Sequence, residues 1–148
     1  MQVYFEATRF TFNGKQFLIG HGDGLGPGDL KYKFLKKIFR NPLCQWLFGI
    51  IPPAVGMGVA NYFSTKSREA DKGQEEKFLG EDKEWLIIYC KEVLQKEPVN
   101  YFIFGHRHLT IDFTLSSSSR YINLGEWINF NSYAVFDGNN IVLTNYKK

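Results

Sequence analysis

Two short apolar runs, each breaking into Gly-His, constrain this chain more than any other feature. Phe17-Leu18-Ile19 leads into Gly20-His21-Gly22-Asp23, and Tyr101-Phe102-Ile103-Phe104 leads into Gly105-His106-Arg107-His108. The first reads as a strand breaking into a loop, and the second, apolar without interruption, as a strand covered on both faces, because a strand with one wet face alternates instead. Glycine at the strand end permits positive φ and close approach of backbone to a ligand, so each strand holds an imidazole at the mouth of a sheet. The chain has 3 histidines, and all of them lie in these two places. At an extended strand end, positions two apart point the same way, which lets His106 and His108 face one ligand together.

Imidazole beside a carboxylate is a donor set for Mn, Fe, Co, Ni or Zn. The opposing reading makes each histidine an ordinary hydrogen-bonding loop residue, and His-x-His pairs also arise by chance. The glycines at every second position from Gly20 to Gly28 contain neither GxGxxG nor GxxxxGK[ST], which disfavours nucleotide loops of those kinds. Asp23 and Asp29 read singly as turn formers, or else as groups behind a metal or against a substrate.

Around these strands the pattern predicts a mixed α and β chain. Residues 3–12 and 15–20 pair as a hairpin through Asn13-Gly14, the second strand delivering His21. From Leu30, apolar residues recur every three or four positions through Tyr32, Leu35 and Phe39, then Leu43, Trp46, Leu47 and Ile50, with lysines between. That is a basic amphipathic helix, broken at Asn41-Pro42, resumed to about Ile51 and stopped by Pro52-Pro53. A short helix follows over 56–66, then an exposed charged loop over 67–80. Residues 81–97 form a helix with Trp85, Ile88 and Tyr89 in register and acids in its first turn. Strands follow at 100–104, 110–115, 120–124, 132–136 and 141–146. By default the aromatic stripe of 32–51 is core; the lysines opposite leave room for a lipid-facing role.

A length of 148 residues suits one domain. The formal charge of +3, without a dense Lys/Arg tract, gives no nucleic-acid signature. Cys44 and Cys90 have no CxxC spacing and read as buried free thiols. No basic and apolar leader opens the chain, and Leu43–Val59, interrupted by Gln45 and Pro52-Pro53, is a poor membrane span, so a cytoplasmic protein is expected.

Taken together, His21-Gly22-Asp23-Gly24-Leu25 with Asp29 and Tyr32, the segment NPLCQWLF at 41–48, ANYFSTKSR at 60–68 and Gly105-His106-Arg107-His108 resemble the C-terminal half of a calcineurin-like metallophosphoesterase. Within that group they resemble the UDP-2,3-diacylglucosamine diphosphatases of lipid A synthesis, in their Bacteroidetes form. The resemblance implies an α+β fold of α/β/β/α type, here the C-terminal part of a β-sandwich flanked by helices over 1–148, with a helical cap inserted at 30–75. It implies two manganese ions, His21 and His106 holding one and His108 the other. It implies a lipid-linked UDP-sugar substrate touched by Asp29, Tyr32, Leu35, Phe39, Trp46 and Ser67. Water attack on the α-phosphate then gives UMP and 2,3-diacylglucosamine 1-phosphate, at the inner membrane surface.

The family's Asp-x-His, Gly-Asp-x-x-Asp and Gly-Asn-His/Arg-Asp/Glu motifs are absent from the sequence. One ion then keeps two protein ligands and the other keeps one, so weak or partial metal occupancy and little hydrolysis are expected of this chain. Unsatisfied edges near Tyr4 and Phe102 are expected to favour self-association or docking of an N-terminal half. Two other readings stand beside this one: a metallophosphoesterase for a soluble phosphoester, and a non-catalytic membrane-surface or partner-binding module.

Overall fold

Asn13 and Gly14 adopt φ of 47° and 73°, the paired positive values that a tight two-residue hairpin turn needs. In this computed structural model they join β1 (Thr8–Phe12) to β2 (Lys15–Ile19) in antiparallel register. The described residues are 2–27, 30–71 and 77–146, with 30–32 and 67–71 described through their backbone alone. The chain divides into two compact units, Met1–Pro27 with Glu75–Lys148, and Gly28–Gln74.

The first unit holds α4 (Trp85–Leu94), β3 (Tyr101–Phe104), β4 (Thr110–Ser116), β5 (Ser119–Leu124), β6 (Ser132–Phe136) and β7 (Ile141–Asn145) beside the hairpin. Its main sheet has 5 strands in the order β1-β2-β3-β5-β4, with β2, β3 and β5 mutually parallel. Strand periodicity then sorts the core. Leu18, Phe102, Phe104 and Tyr121 face one way and pack with Leu86, Ile87 and Cys90 of α4. Phe17, Tyr101, Ile103 and Ile122 face the other way and meet Ile141, with Ala134, Phe136 and Leu143 of the β6–β7 hairpin against them. The layers are therefore helix, sheet and hairpin, an α+β arrangement. Each fully buried Phe or Leu here contributes about 1.5–3 kcal/mol.

Several expectations change. β1 starts at Thr8 rather than residue 3, and before it the Tyr4 ring packs edge-on against Phe10 at 5.6 Å. Phe102 is 0% exposed and lies in β3, paired on both sides, so no unsatisfied edge exists there; β1 and β4 are the edges of that sheet. α4 is shorter than residues 81–97, and Glu81, Asp82 and Glu84 precede its first turn, which carries no acid. Its buried face is Leu86, Ile87 and Cys90, while Trp85 is exposed. The segment Trp85 to Cys90 is apolar throughout, so helical spacing alone does not choose the face.

The second unit comprises α1 (Leu30–Phe39), α2 (Pro42–Ile50) and α3 (Pro53–Asp71). Asn41 explains the first break: its Oδ1 accepts from the N–H groups of Leu43 at 2.9 Å and Cys44 at 3.3 Å, and Pro42 occupies the first turn, where its missing donor costs nothing. The second break falls at Ile51-Pro52, as the proline pair requires. α3 continues to Asp71, so residues 67–71 are helical rather than loop; residues 72–76 lie outside the described set. No residue of α2 is buried, and Phe39 and Trp46 are each 64% exposed, which corrects the default assignment of the stripe to a core. Cys44 is half-buried, against a fully buried Cys90. No single described helix is long and apolar enough to cross a membrane.

Candidate functional site

Because β2 and β3 are parallel neighbours, their carboxyl ends emerge at the same edge of the sheet. The ladder runs through Ile19 and Ile103, and two further bonds extend it, from Gly20 N to Ile103 O at 3.1 Å and from Gly105 N to His21 O at 3.0 Å. Each chain then turns away with its histidine on the rim. The His21 and His106 rings lie 5.4 Å apart, centroid to centroid, with planes at 78°. Gly22 follows at φ 103°, backbone that a side chain would strain, and a Cβ there would also stand 3.3 Å from Leu86 Cδ1 and 3.4 Å from the His106 Cβ. His106 itself has φ 63°, left-handed backbone that costs a non-glycine residue about 1–2 kcal/mol and persists only where its surroundings fix it.

Two sequence expectations fare differently. His21 and His106 converge. For His106 and His108, the premise of an extended strand end fails, because the backbone is left-handed at His106. His108 lies instead near Glu126, on which it acts electrostatically. Burial pushes the Glu126 carboxyl up, but hydrogen bonds from the N–H groups of Asn129 and Ile128, at 2.8 and 2.6 Å, together with His108, hold it below the usual carboxylate range. Sequence reading missed Glu126; the available signal was an acid directly after a strand and a glycine.

Two imidazoles bonded to one ion at about 2.1 Å have centroids roughly 5.3 Å apart at a tetrahedral angle. The observed 5.4 Å is close to that separation, and it is equally the spacing of an edge-to-face ring pair. The pair is not a complete coordination shell: among the described residues, no three His, Cys, Asp or Glu side chains are grouped to hold a metal ion. Asp23 is half-buried in the loop after His21.

Behind the rim lies a polar arrangement that sequence reading also missed. Arg107, between the two histidines, sends its Nη2 to Glu84 Oε1 at 3.1 Å and to the Lys77 carbonyl at 2.7 Å. Glu84 also accepts the Leu79 N–H at 3.0 Å. Asn123, fully buried on β5, donates through Nδ2 to the carbonyls of Arg107 and Leu109, both at 2.6 Å.

The expected substrate contacts belong to the other unit. Leu35, Phe39 and Trp46 are exposed on α1 and α2. Tyr32 and Ser67 fall within α1 and α3, described by backbone only, and Asp29 lies outside the described residues. In the same unit, Lys33, Lys36, Lys37, Arg40 and Asn41 line an open depression of about 410 Å³.

No protein-family model matches the chain. A curated protein of Porphyromonas gingivalis named UDP-2,3-diacylglucosamine hydrolase is 36% identical over 155 residues, covering 95% of this chain and 58% of the relative. The chain is a homologue of the UDP-2,3-diacylglucosamine hydrolases. Proteins of that name from Yersinia pestis and Yersinia pseudotuberculosis are each 29% identical over 118 residues, covering 77% of the chain and 47% of the relative. The chain thus spans about half the length of the hydrolases it matches, and the match with the Porphyromonas protein runs through nearly all of its own.

Proposed function

We propose that this chain supplies one side of the active centre of a hydrolase that cleaves the pyrophosphate of UDP-2,3-diacylglucosamine. The observation that carries the reading is the convergence of His21 and His106 at adjacent parallel strand ends in a chain homologous to enzymes named for that reaction. Water oxygen bonds to the α-phosphorus, the bond from that phosphorus to the bridging oxygen breaks, and the sugar leaves carrying the β-phosphate. UMP and 2,3-diacylglucosamine 1-phosphate result.

His21 and His106 would hold one divalent ion and His108 a second, with manganese as the metal. Bound metal supplies an activated water at neutral pH and neutralises charge on the phosphoryl oxygens. With two imidazoles together and no third donor grouped with them among the described residues, the chain by itself binds such ions weakly and hydrolyses little. Residues 30–75 act as the cap over the acyl chains, with Leu35, Phe39 and Trp46 as apolar contacts and Asp29, Tyr32 and Ser67 as further substrate contacts. Exposed apolar side chains on α2 next to Lys33, Lys36 and Lys37 support docking on an anionic inner leaflet from the cytoplasmic side.

The test adds to this chain the part of the Porphyromonas gingivalis relative that the match leaves uncovered, with Mn²⁺ and UDP-2,3-diacylglucosamine. UMP release by the pair, far above that of either part, is expected; no release from two folded parts in stable association sinks the reading. Phe39→Ser with Trp46→Ser separates a lipid substrate from a soluble one, since only the lipid loses most of its binding. Vesicle binding that persists while no metal perturbs His21 or His106 favours the non-catalytic membrane module instead.

A further inference from the structure

The geometry points to Asn123, supported by the Glu84–Arg107 pair, as a positioning residue that sets the histidine turn and so presents the His106 imidazole to His21. The topology explains why one side chain suffices. β5 lies between β3 and β4, and the segment from Gly105 to Leu109 that joins those two strands arches over the end of β5. Asn123 stands under the arch, in register with Phe104 of β3 and Ile111 of β4. Its Nδ2 ties both limbs, taking the carbonyls of Arg107 and Leu109 on either side of His108. Arg107 is the second tether, drawn inward to Glu84 at the start of α4 and to the Lys77 carbonyl. A turn fixed from below and from the side can hold His106 at φ 63°, a conformation its own sequence does not favour.

A purely structural role fits Asn123 poorly. It is fully buried and, among the described residues, its Oδ1 has no hydrogen-bond partner, a cost that leucine of similar size would not carry. What leucine lacks is the pair of donors to the histidine turn. The inference rests on the proposed role of the histidines only for its purpose; the positioning itself is testable without catalysis.

The experiment is NMR on the whole chain with labelled histidine, comparing the parent with Asn123→Leu and Asn123→Asp. In the parent, ring-proton contacts between His21 and His106 are expected. In both variants these contacts vanish while those among Leu18, Phe102 and Tyr121 persist, and the Zn²⁺ concentration that half-saturates the histidine signals rises about tenfold or more. Retained His21–His106 contacts with unchanged Zn²⁺ response in either folded variant overturn the inference and leave the hydrolase reading standing. Absence of any Zn²⁺ or Mn²⁺ response in the parent removes the metal from the proposed function, and the ring contacts still decide the positioning. Should both variants unfold, the parent decides: its Asn123 side-chain amide must exchange far more slowly than an exposed one, and free exchange overturns the clamp.

Discussion

Replacing Glu84 by glutamine keeps shape and removes one charge from a pair that is almost wholly out of water. The Glu84 side chain is 2% exposed and that of Arg107 16%, with Nη2 and Oε1 at 3.1 Å. At that distance, with an effective dielectric of about 20, the gross attraction is roughly 5 kcal/mol. Desolvation of both groups offsets much of it, so the pair adds little net stability. The single substitution is different, because it leaves a buried guanidinium without its counter-charge, at a cost of about 3–5 kcal/mol. For a domain stable by about 5–15 kcal/mol that is a large fraction. In urea, with a slope near 2 kcal/mol per molar, the midpoint should fall by about 1.5–2.5 M with the slope unchanged. The double variant Glu84→Gln with Arg107→Met removes both charges and should recover most of the loss, although the bond to the Lys77 carbonyl stays broken. A Glu84→Gln midpoint within the scatter of ordinary surface substitutions, about 0.5 kcal/mol, would refute the buried pair. So would a double variant no better than the sum of the singles.

Gly26→Ala should cost at least about 2 kcal/mol by urea or thermal unfolding, since φ is 85° and an added Cβ would stand 2.6 Å from the Trp85 carbonyl oxygen; an unchanged midpoint contradicts the packing of the glycine loop on α4. Burial pushes the Cys90 thiol far above its ordinary range, whereas Cys44 is only half-buried, so an aromatic disulfide reagent should consume one thiol quickly and the second only on unfolding. Two fast equivalents would contradict the burial of Cys90. Asp137 Oδ1 accepts the N–H groups of Asn140 and Asn139, each at 2.7 Å, which holds its carboxyl below the usual range. The folded pKa is the lower one, so the contribution is complete above the unfolded value near 4 and disappears as pH falls through the folded value. Asp137→Ala should therefore flatten the acid limb of a stability profile, and parallel limbs for parent and variant would rule this out.

Sequence pattern located the elements well where a local device fixes them. Asn13-Gly14, Asn41-Pro42 and Pro52-Pro53 act within a few residues, and each boundary falls where its chemistry requires. The four-residue apolar run of β3 announced a strand covered on both faces, and α4 and the β6–β7 hairpin cover it. What pattern could not choose was a face. Trp85 to Cys90 is apolar all round, so only the sheet beneath selects Leu86, Ile87 and Cys90. In the other unit, the spacing of Trp46 and Leu47 describes amphipathicity equally well for a side chain facing a core or facing outward, and no residue of α2 is buried. Nor does charge on the sequence reveal that Arg107, flanked by two candidate ligands, turns inward to Glu84 rather than out to solvent.

The histidines show the same limit within five residues. Parity arguments presume extended backbone, and Gly105 already ends the strand. With His106 at φ 63°, the side-chain direction two residues on is no longer inherited from β3. Adjacency of parallel strands replaces parity as the organising relation: β2 and β3 end side by side, so the imidazole across the ladder, His21, becomes the neighbour of His106 at 5.4 Å. His108 is left to the far limb of the arch, near Glu126. Beneath the arch the two Nδ2 donors of Asn123 reach the carbonyls on either side of His108, so one buried side chain ties both limbs of the turn.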